Sequence, residues 1–94
     1  AILSGAKFSG CTIHFVREGV DDGPIICQAV VPINDGDDAT TLTTRILKQE
    51  HLLYPTVVRW IATGQLRITK ERVYLKDATN PTSTIVNPVL DVRI

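Results

Sequence analysis

The chain has 94 residues, of which 44% are hydrophobic and 21% are charged, and these shares are typical of one small globular domain. Ten basic and ten acidic residues cancel, so the net charge predicts no attraction to nucleic acid or to a membrane surface. Two cysteines are too few for a secreted disulfide scaffold and have no zinc-binding spacing, so we expect free thiols, no metal and a cytoplasmic location.

The first residues have the pattern of a helix that is about to end. Residues 1–5 resemble the last turn of a helix, with Gly5 at its C-terminal cap. A domain rarely begins in the last turn of a helix, and the chain does not start with Met. We therefore expect further polypeptide before this segment.

Residues 10–24 predict a strand, an acidic loop and the start of a second strand. Alternate side chains of residues 11–16 point to opposite faces, and neither face is purely polar, which predicts a sheet that is covered on both sides. The loop then carries three carboxylates and two glycines, and Pro24 begins the next strand. A rigid strand followed by such a loop is a common way to build a site, and it is also typical of an ordinary surface turn.

Residues 25–33 predict the second strand. Its odd-numbered positions are all apolar, whereas its even-numbered positions are mixed. Pro32 has no amide hydrogen to donate, so the strand should end there at an edge or leave the sheet. Either Asp37 or Asp38 then caps a helix.

The helix is predicted from about Ala39 to Ala62, and Gly64 ends it. Pro55 lies inside this segment and should bend the helix. Apolar residues at helical spacing form one buried arc: Leu42, Ile46, Leu53 and Val57, with Trp60 and Ile61 at its margins.

Two polar residues flank the centre of this apolar arc. Gln49 and Glu50 lie on either side of it, whereas His51 falls on the opposite face. A carboxylate beside a buried surface is costly unless it has a partner. Glu50 therefore either reaches water from the edge of the arc or faces a ligand cleft.

The last third of the chain predicts a hairpin and a tail. Residues 65–69 and 72–75 alternate and are joined by the two residues of a turn. The tail, residues 77–94, is rich in Thr, Asn and Pro and then becomes apolar. It either crosses back over a face of the domain or packs on a partner.

Three segments resemble one family, the glycinamide ribonucleotide formyltransferases of purine synthesis. They are S-G-C-T-I-H-F-V (residues 9–16), E-G-V-D-D-G-P-I-I-C-Q-A (residues 18–29) and Q-E-H-L-L-Y-P (residues 49–55). The resemblance implies an α/β formyltransferase fold, of which this chain is the C-terminal half. As a fragment it would be α+β: strand–loop–strand, one long helix bent at proline, a β-hairpin and an extended tail. We place the boundary between domain and tail at residues 76 and 77.

The resemblance also implies the roles of individual residues. The co-substrate would be 10-formyltetrahydrofolate, and the substrate would be glycinamide ribonucleotide. Asp21 matches the family's catalytic carboxylate, which holds a water molecule and raises the pKa of the catalytic histidine. Residues that match the folate-binding loop are Arg17, Glu18, Gly19, Val20 and Asp21. Residues that match the ribonucleotide-binding segment are Leu47, Lys48, Gln49 and Glu50.

Other features depart from the family pattern. The Asn-x-His segment that supplies the catalytic pair, and the glycine loop that holds the substrate phosphate, are not among these 94 residues. We do not assign the histidine role to His14, which is predicted to be a core or cleft residue, or to His51. Asp22 stands where the family usually has Thr or Gly.

We therefore expect a fragment that is inactive alone, whose partner is the N-terminal half of the same enzyme. An oligomer is possible. The alternatives are formyltetrahydrofolate deformylase, more distantly methionyl-tRNA formyltransferase, and a binding fragment without catalytic activity. The segment at residues 49–55 favours the ribonucleotide enzyme over the deformylase.

Overall fold

The computed structural model describes residues 2–17 and 23–90. The order of elements is the predicted one: strand, strand, long helix and hairpin. Their bounds are β1 (Phe8–His14), β2 (Ile25–Pro32), α1 (Ala39–Ala62), β3 (Leu66–Thr69) and β4 (Arg72–Leu75). Residues 2–5 form a turn in which the Gly5 amide donates to the Ile2 carbonyl at 3.2 Å.

Strands β1 and β2 pair in antiparallel fashion, and one face of the pair packs on the helix. Ile13 and Val31 are buried on that face. On the opposite face, the exposed Gln28 side chain donates to Thr12 Oγ1 at 3.1 Å, and Val30 is 58% exposed. The expectation that both faces are covered is therefore wrong within the described residues, because they contain a single helix and it covers one side.

The N-terminus of α1 is capped by Asp38, which decides between the two predicted candidates. The Thr41 amide donates to Asp38 Oδ1 at 2.8 Å, and the Asp38 amide donates to Thr41 Oγ1 at 3.0 Å. This reciprocal capping box satisfies two amide donors that the helix itself leaves unpaired. The bond from the Thr41 amide is also the main reason why the pKa of Asp38 is lowered.

The C-terminus of α1 is closed at Gly64, as predicted. Gly64 has φ 69°, its amide donates to the Ile61 carbonyl at 3.1 Å, and the Gln65 amide donates to the Trp60 carbonyl at 2.9 Å. This pair of bonds is the Schellman motif, in which glycine adopts the left-handed conformation without a steric penalty. The helix continues through Pro55, and the bend there stays a prediction.

The core lies where α1 crosses the β1–β2 sheet. Leu42 contacts the buried Val31 and Ile33, and Ile2 and Ile46 pack against this cluster. Val57 is buried further along the same arc, whereas His51 is exposed, as the helical spacing predicts. Within the described residues, α1 lacks the sustained apolar length that a membrane-spanning helix needs.

The hairpin and part of the tail complete the described structure. Strands β3 and β4 pair through the predicted two-residue turn, in which Lys70 has φ 58°. In the tail, the Asn87 side-chain amide donates to the carbonyls of Lys7 and Ile33, at 2.7 and 2.8 Å. These two bonds fasten the described part of the tail to the domain, whereas the apolar tail residues stay exposed: Ile85, Val86, Val89 and Leu90.

Candidate functional site

The two ends of the acidic loop are held together at its base. The Phe15 amide donates to the Pro24 carbonyl at 2.9 Å. Gly23 is buried, and a Cβ atom there would lie 1.7 Å from the Phe15 carbonyl oxygen, so no other residue fits without movement of the backbone. Four of the predicted folate-binding residues lie between these ends, outside the described residues: Glu18, Gly19, Val20 and Asp21.

Arg17, the fifth predicted folate-binding residue, is described and forms an ion pair with the β3–β4 turn. Arg17 Nη1 lies 3.0 Å from Glu71 Oε1 and 2.8 Å from Glu71 Oε2. The side chains are 43% and 70% exposed, respectively, so water screens the pair. The contact joins the start of the acidic loop to the hairpin.

A cavity of about 710 Å³ lies between the end of the β1–β2 sheet and the hairpin. Its volume is within the range of small-molecule sites. Thr12, His14 and residues 23–25 form one wall, and residues 71–74 form the other. The base of the acidic loop and Glu71 therefore line the same hollow.

Neither histidine is arranged as a catalytic group by the described residues. His14 is half-buried, and its Nδ1 lies within donor distance of the adjacent Phe15 carbonyl oxygen, at 3.0 Å. His51 is exposed on α1. Among residues 2–17 and 23–90, no three His, Cys, Asp or Glu side chains come together as metal ligands would.

The two cysteines are free thiols on neighbouring strands, as expected. Burial, and secondly the neighbouring Cys11, raise the pKa of the Cys27 thiol. A raised pKa leaves less of the reactive thiolate at neutral pH. The structure therefore gives Cys27 the environment of a packing residue rather than that of a nucleophile.

A second group of polar side chains links the end of β2 to the first half of α1. Arg45 donates to both carboxylate oxygens of Asp37, at 2.7 Å from Nη1 and 2.6 Å from Nη2. Arg45 Nη2 also lies 2.6 Å from the Pro32 carbonyl oxygen. The Asp37 side chain is only 5% exposed, which makes this bidentate pair much less screened than a surface ion pair.

This pair lies beside the predicted ribonucleotide-binding segment. A shallow cavity of about 260 Å³ is lined by Val31, Pro32, Arg45, Lys48 and Gln49. Two of the four predicted residues, Lys48 and Gln49, therefore share one cavity with Arg45. Glu50 and Leu47 do not line this cavity: Glu50 is half-buried, as its position next to the apolar arc predicts, and Leu47 is 45% exposed.

The environment of Asp37 makes the domain sensitive to acid. Hydrogen bonds from the Arg45 side chain and then from the Asn34 amide hold the pKa of Asp37 well below its usual range. A carboxyl group whose folded-state pKa is lowered stabilises the protein above its unfolded-state pKa, at about 4. That stabilisation is lost as the pH falls through the folded-state pKa.

We expect Asp37→Asn to lower the melting temperature of the chain at pH 7 by about 4 °C or more, because Arg45 loses its charged partner. The difference from wild type should begin to shrink below about pH 4, because the Asp37 carboxylate then becomes protonated in the unfolded state while it stays ionised in the folded state. Thermal unfolding followed by circular dichroism between pH 3 and pH 7 measures both effects. The control is Asp35→Asn, an exposed carboxylate of the same connection. A difference that is constant with pH would contradict the assignment.

Sequence reasoning did not identify Arg45 or Glu71 as parts of these sites. Arg45 resembles any solvated residue of a helix, and Glu71 resembles any polar residue of a turn. The one local signal for the Arg45 contact was the presence of two acidic residues, Asp37 and Asp38, before a helix whose N-terminal cap needs only one. A second acidic residue before a helix leaves a carboxylate for another partner.

Comparison with known proteins relates these features to one family. Residues 1–58 match the family described as formyl transferase. The chain is 39% identical over 75 residues to phosphoribosylglycinamide formyltransferase of Escherichia coli. This alignment covers 80% of this chain and 35% of that protein. It is 51% identical over 71 residues to the trifunctional purine biosynthetic protein adenosine-3 of Drosophila pseudoobscura, which covers 76% of this chain and 5% of that protein.

Solved structures agree in fold. Glycinamide ribonucleotide transformylase 1 from Symbiobacterium toebii superposes with a TM-score of 0.75 at 49% identity, over 81% of this chain and 36% of the other. Phosphoribosylglycinamide formyltransferase from Anaplasma phagocytophilum gives a TM-score of 0.77 at 38% identity, over 84% of this chain and 39% of the other. The chain thus spans about a third of the Escherichia coli relative and has part of the fold of these structures. This chain belongs to the formyl transferase family.

Proposed function

We propose that this chain is the C-terminal half of a phosphoribosylglycinamide formyltransferase, which transfers a formyl group from 10-formyltetrahydrofolate to the amine of glycinamide ribonucleotide in purine biosynthesis. The observation that carries the proposal is the half-buried pair Gln49 and Glu50, of which Gln49 lines the Arg45 cavity. Polar groups beside a buried apolar surface are costly without partners, and the hydroxyl groups of a ribonucleotide would supply such partners. The names of the relatives support the same reaction.

The exposed apolar surface supports the presence of a complementary half. On α1, Tyr54 is 53% exposed, Val58 is 62% exposed and Ile61 is 49% exposed, and their spacing of four and three residues places them on one face of the helix. Exposed apolar patches of this kind mark surfaces that contact another protein segment. Because the Escherichia coli relative is about three times longer than the part that aligns with this chain, we infer that the rest of a formyltransferase domain covers this surface.

In the proposed reaction, two sites of this chain act on different substrates. Residues 17–21 bind the folate, and residues 47–50 bind the ribonucleotide, with Glu50 on its ribose hydroxyls. The substrate amine attacks the formyl carbon, and a protonated histidine of the other half donates a hydrogen bond to the developing oxyanion. The Asp21 carboxylate keeps that histidine protonated, because a nearby negative charge favours imidazolium. The bond between the formyl carbon and the folate nitrogen then breaks, the proton lost by the amine is balanced by the proton gained by that nitrogen, and tetrahydrofolate leaves without the help of a metal.

The proposal is tested by an assay of the complete protein with 10-formyltetrahydrofolate, in the presence and in the absence of glycinamide ribonucleotide. Without the ribonucleotide, water is the remaining acceptor of the formyl group. We expect formylated glycinamide ribonucleotide and tetrahydrofolate as products. A deformylase would instead release formate into water at the same rate with or without the ribonucleotide. Formate release that does not depend on the ribonucleotide would overturn the proposed acceptor and leave the family assignment intact.

Glu50→Gln should raise the KM for glycinamide ribonucleotide about tenfold, because a charged acceptor of hydroxyl hydrogen bonds becomes a neutral one. The KM for the folate should not change. Steady-state kinetics with each substrate varied in turn measures both constants. His51→Ala, on the exposed side of the same helical turn, is the control. Equal changes in both KM values would mean that Glu50 supports the fold rather than the substrate.

Two further parts of the proposal concern the cell and the chain. We propose that the enzyme is cytoplasmic, since Cys11 and Cys27 are free thiols and reducing compartments keep thiols reduced. We also propose that residues 1–76 belong to the formyltransferase domain and that residues 77–94 form a tail. The hydrogen bonds of Asn87 fasten that tail to the domain at Lys7 and Ile33.

A further inference from the structure

The β3–β4 hairpin lies beyond the segment that matches the formyl transferase family, residues 1–58, and yet it contacts the start of the acidic loop. Glu71, in the turn of this hairpin, accepts a hydrogen bond from Arg17 Nη1 at Oε1 (3.0 Å), and its Oε2 forms an ion pair with the same nitrogen at 2.8 Å. The two residues are 54 positions apart, so only tertiary packing brings them together. An exposed pair of this kind contributes little to stability, but it restricts where the guanidinium lies.

The same hairpin forms one wall of the 710 Å³ cavity. Strand β4 packs against β2, which places residues 71–74 opposite Thr12 and His14. Glu71 is thus both a lining residue of the cavity and the partner of Arg17. Arg17 itself does not line the cavity, and its guanidinium is held at the edge of the cavity by Glu71.

We propose that the β3–β4 hairpin is part of the folate site and that Glu71 is a positioning residue for Arg17. This inference rests on the proposed function, in which Arg17 contacts the folate. Arg has a long side chain that loses rotational freedom when a ligand fixes it. Because Glu71 already holds Arg17, part of that entropy is lost before the folate binds, and affinity increases.

The test uses the complete protein and measures the affinity for tetrahydrofolate by isothermal titration calorimetry. Glu71→Gln keeps the size of the side chain and removes its charge. We expect the Kd for tetrahydrofolate to rise about two- to fivefold. The KM for the ribonucleotide and the melting temperature should stay at their wild-type values. Asp77→Asn, which removes a carboxylate just after β4 that does not line this cavity, should leave the Kd unchanged.

A double-mutant cycle separates positioning from direct contact. Arg17→Ala should weaken tetrahydrofolate binding, and adding Glu71→Gln to it should have no further effect, because Glu71 acts through Arg17. A wild-type Kd in Glu71→Gln would overturn the inference. If Glu71→Gln weakens tetrahydrofolate binding equally in the wild-type protein and in the Arg17→Ala variant, Glu71 does not act through Arg17, and its positioning role is overturned. Failure of the wild-type protein to bind tetrahydrofolate would instead overturn the proposed function itself.

Discussion

The 94-residue chain alone should transfer no measurable formyl group to glycinamide ribonucleotide, whereas the complete protein should turn over. The reason is that the chain lacks the catalytic groups that the resemblance implies. The resemblance places the catalytic histidine, its asparagine partner and the loop for the substrate phosphate in segments that these residues do not contain. Loss of the proton donor and of substrate positioning each removes about two to four orders of magnitude in rate.

The measurement is the release of tetrahydrofolate, with glycinamide ribonucleotide in excess and the chain at micromolar concentration. The complete protein, assayed in the same buffer, is the positive control. Turnover by the chain within about tenfold of that control would mean that a group on this chain is the proton donor. His14 would then be tested first, since it lines the large cavity.

In the complete enzyme, Asp21→Asn should lower kcat by about two to three orders of magnitude while the KM for the folate changes less than about threefold. The carboxylate is expected to act on the histidine and on the bound water rather than on the folate ring. Its loss lowers the pKa of the histidine, so less imidazolium is present at neutral pH. The limb of the pH–kcat profile on which activity is lost as the histidine deprotonates should move to lower pH.

Asp22→Asn is the matched control for this variant. It removes a neighbouring carboxylate of the same loop and changes the net charge by the same amount. We expect it to keep a kcat close to wild type and an unshifted pH profile. If both variants lose activity to the same extent, the loop contributes through its overall charge, and Asp21 has no special alignment with the histidine.

Much of the fold could be predicted because its signals are local. Asp38 marks the start of α1 and Gly64 marks its end, and each acts on the one turn of helix next to it. The alternation of β1 and β2 and the two-residue turn of the hairpin are equally local. The position of Glu50 beside the apolar arc likewise follows from helical geometry, and the structure shows it half-buried.

The site could be predicted only in part, since its contacts join distant segments. Asp37 and Asp38 are equivalent as caps in the sequence, and their roles are separated by Arg45, which binds Asp37 and the Pro32 carbonyl at the end of β2. Glu71 has no local feature that points to Arg17. Within the described residues one face of the β1–β2 sheet is uncovered, because apolar alternation shows which faces avoid water, and not which segment covers them.

The sequence by itself determined the secondary structure elements, the apolar arc of α1 and the resemblance to formyltransferases, since each depends on residue types at short spacing. The tertiary structure alone decided that Asp37 holds Arg45 against Pro32 and that the hairpin meets the acidic loop at Glu71. It also decided that the tail returns to Lys7 and Ile33 through Asn87. The physical reason is that a contact between distant segments depends on how whole elements pack, which spacing along the chain does not specify.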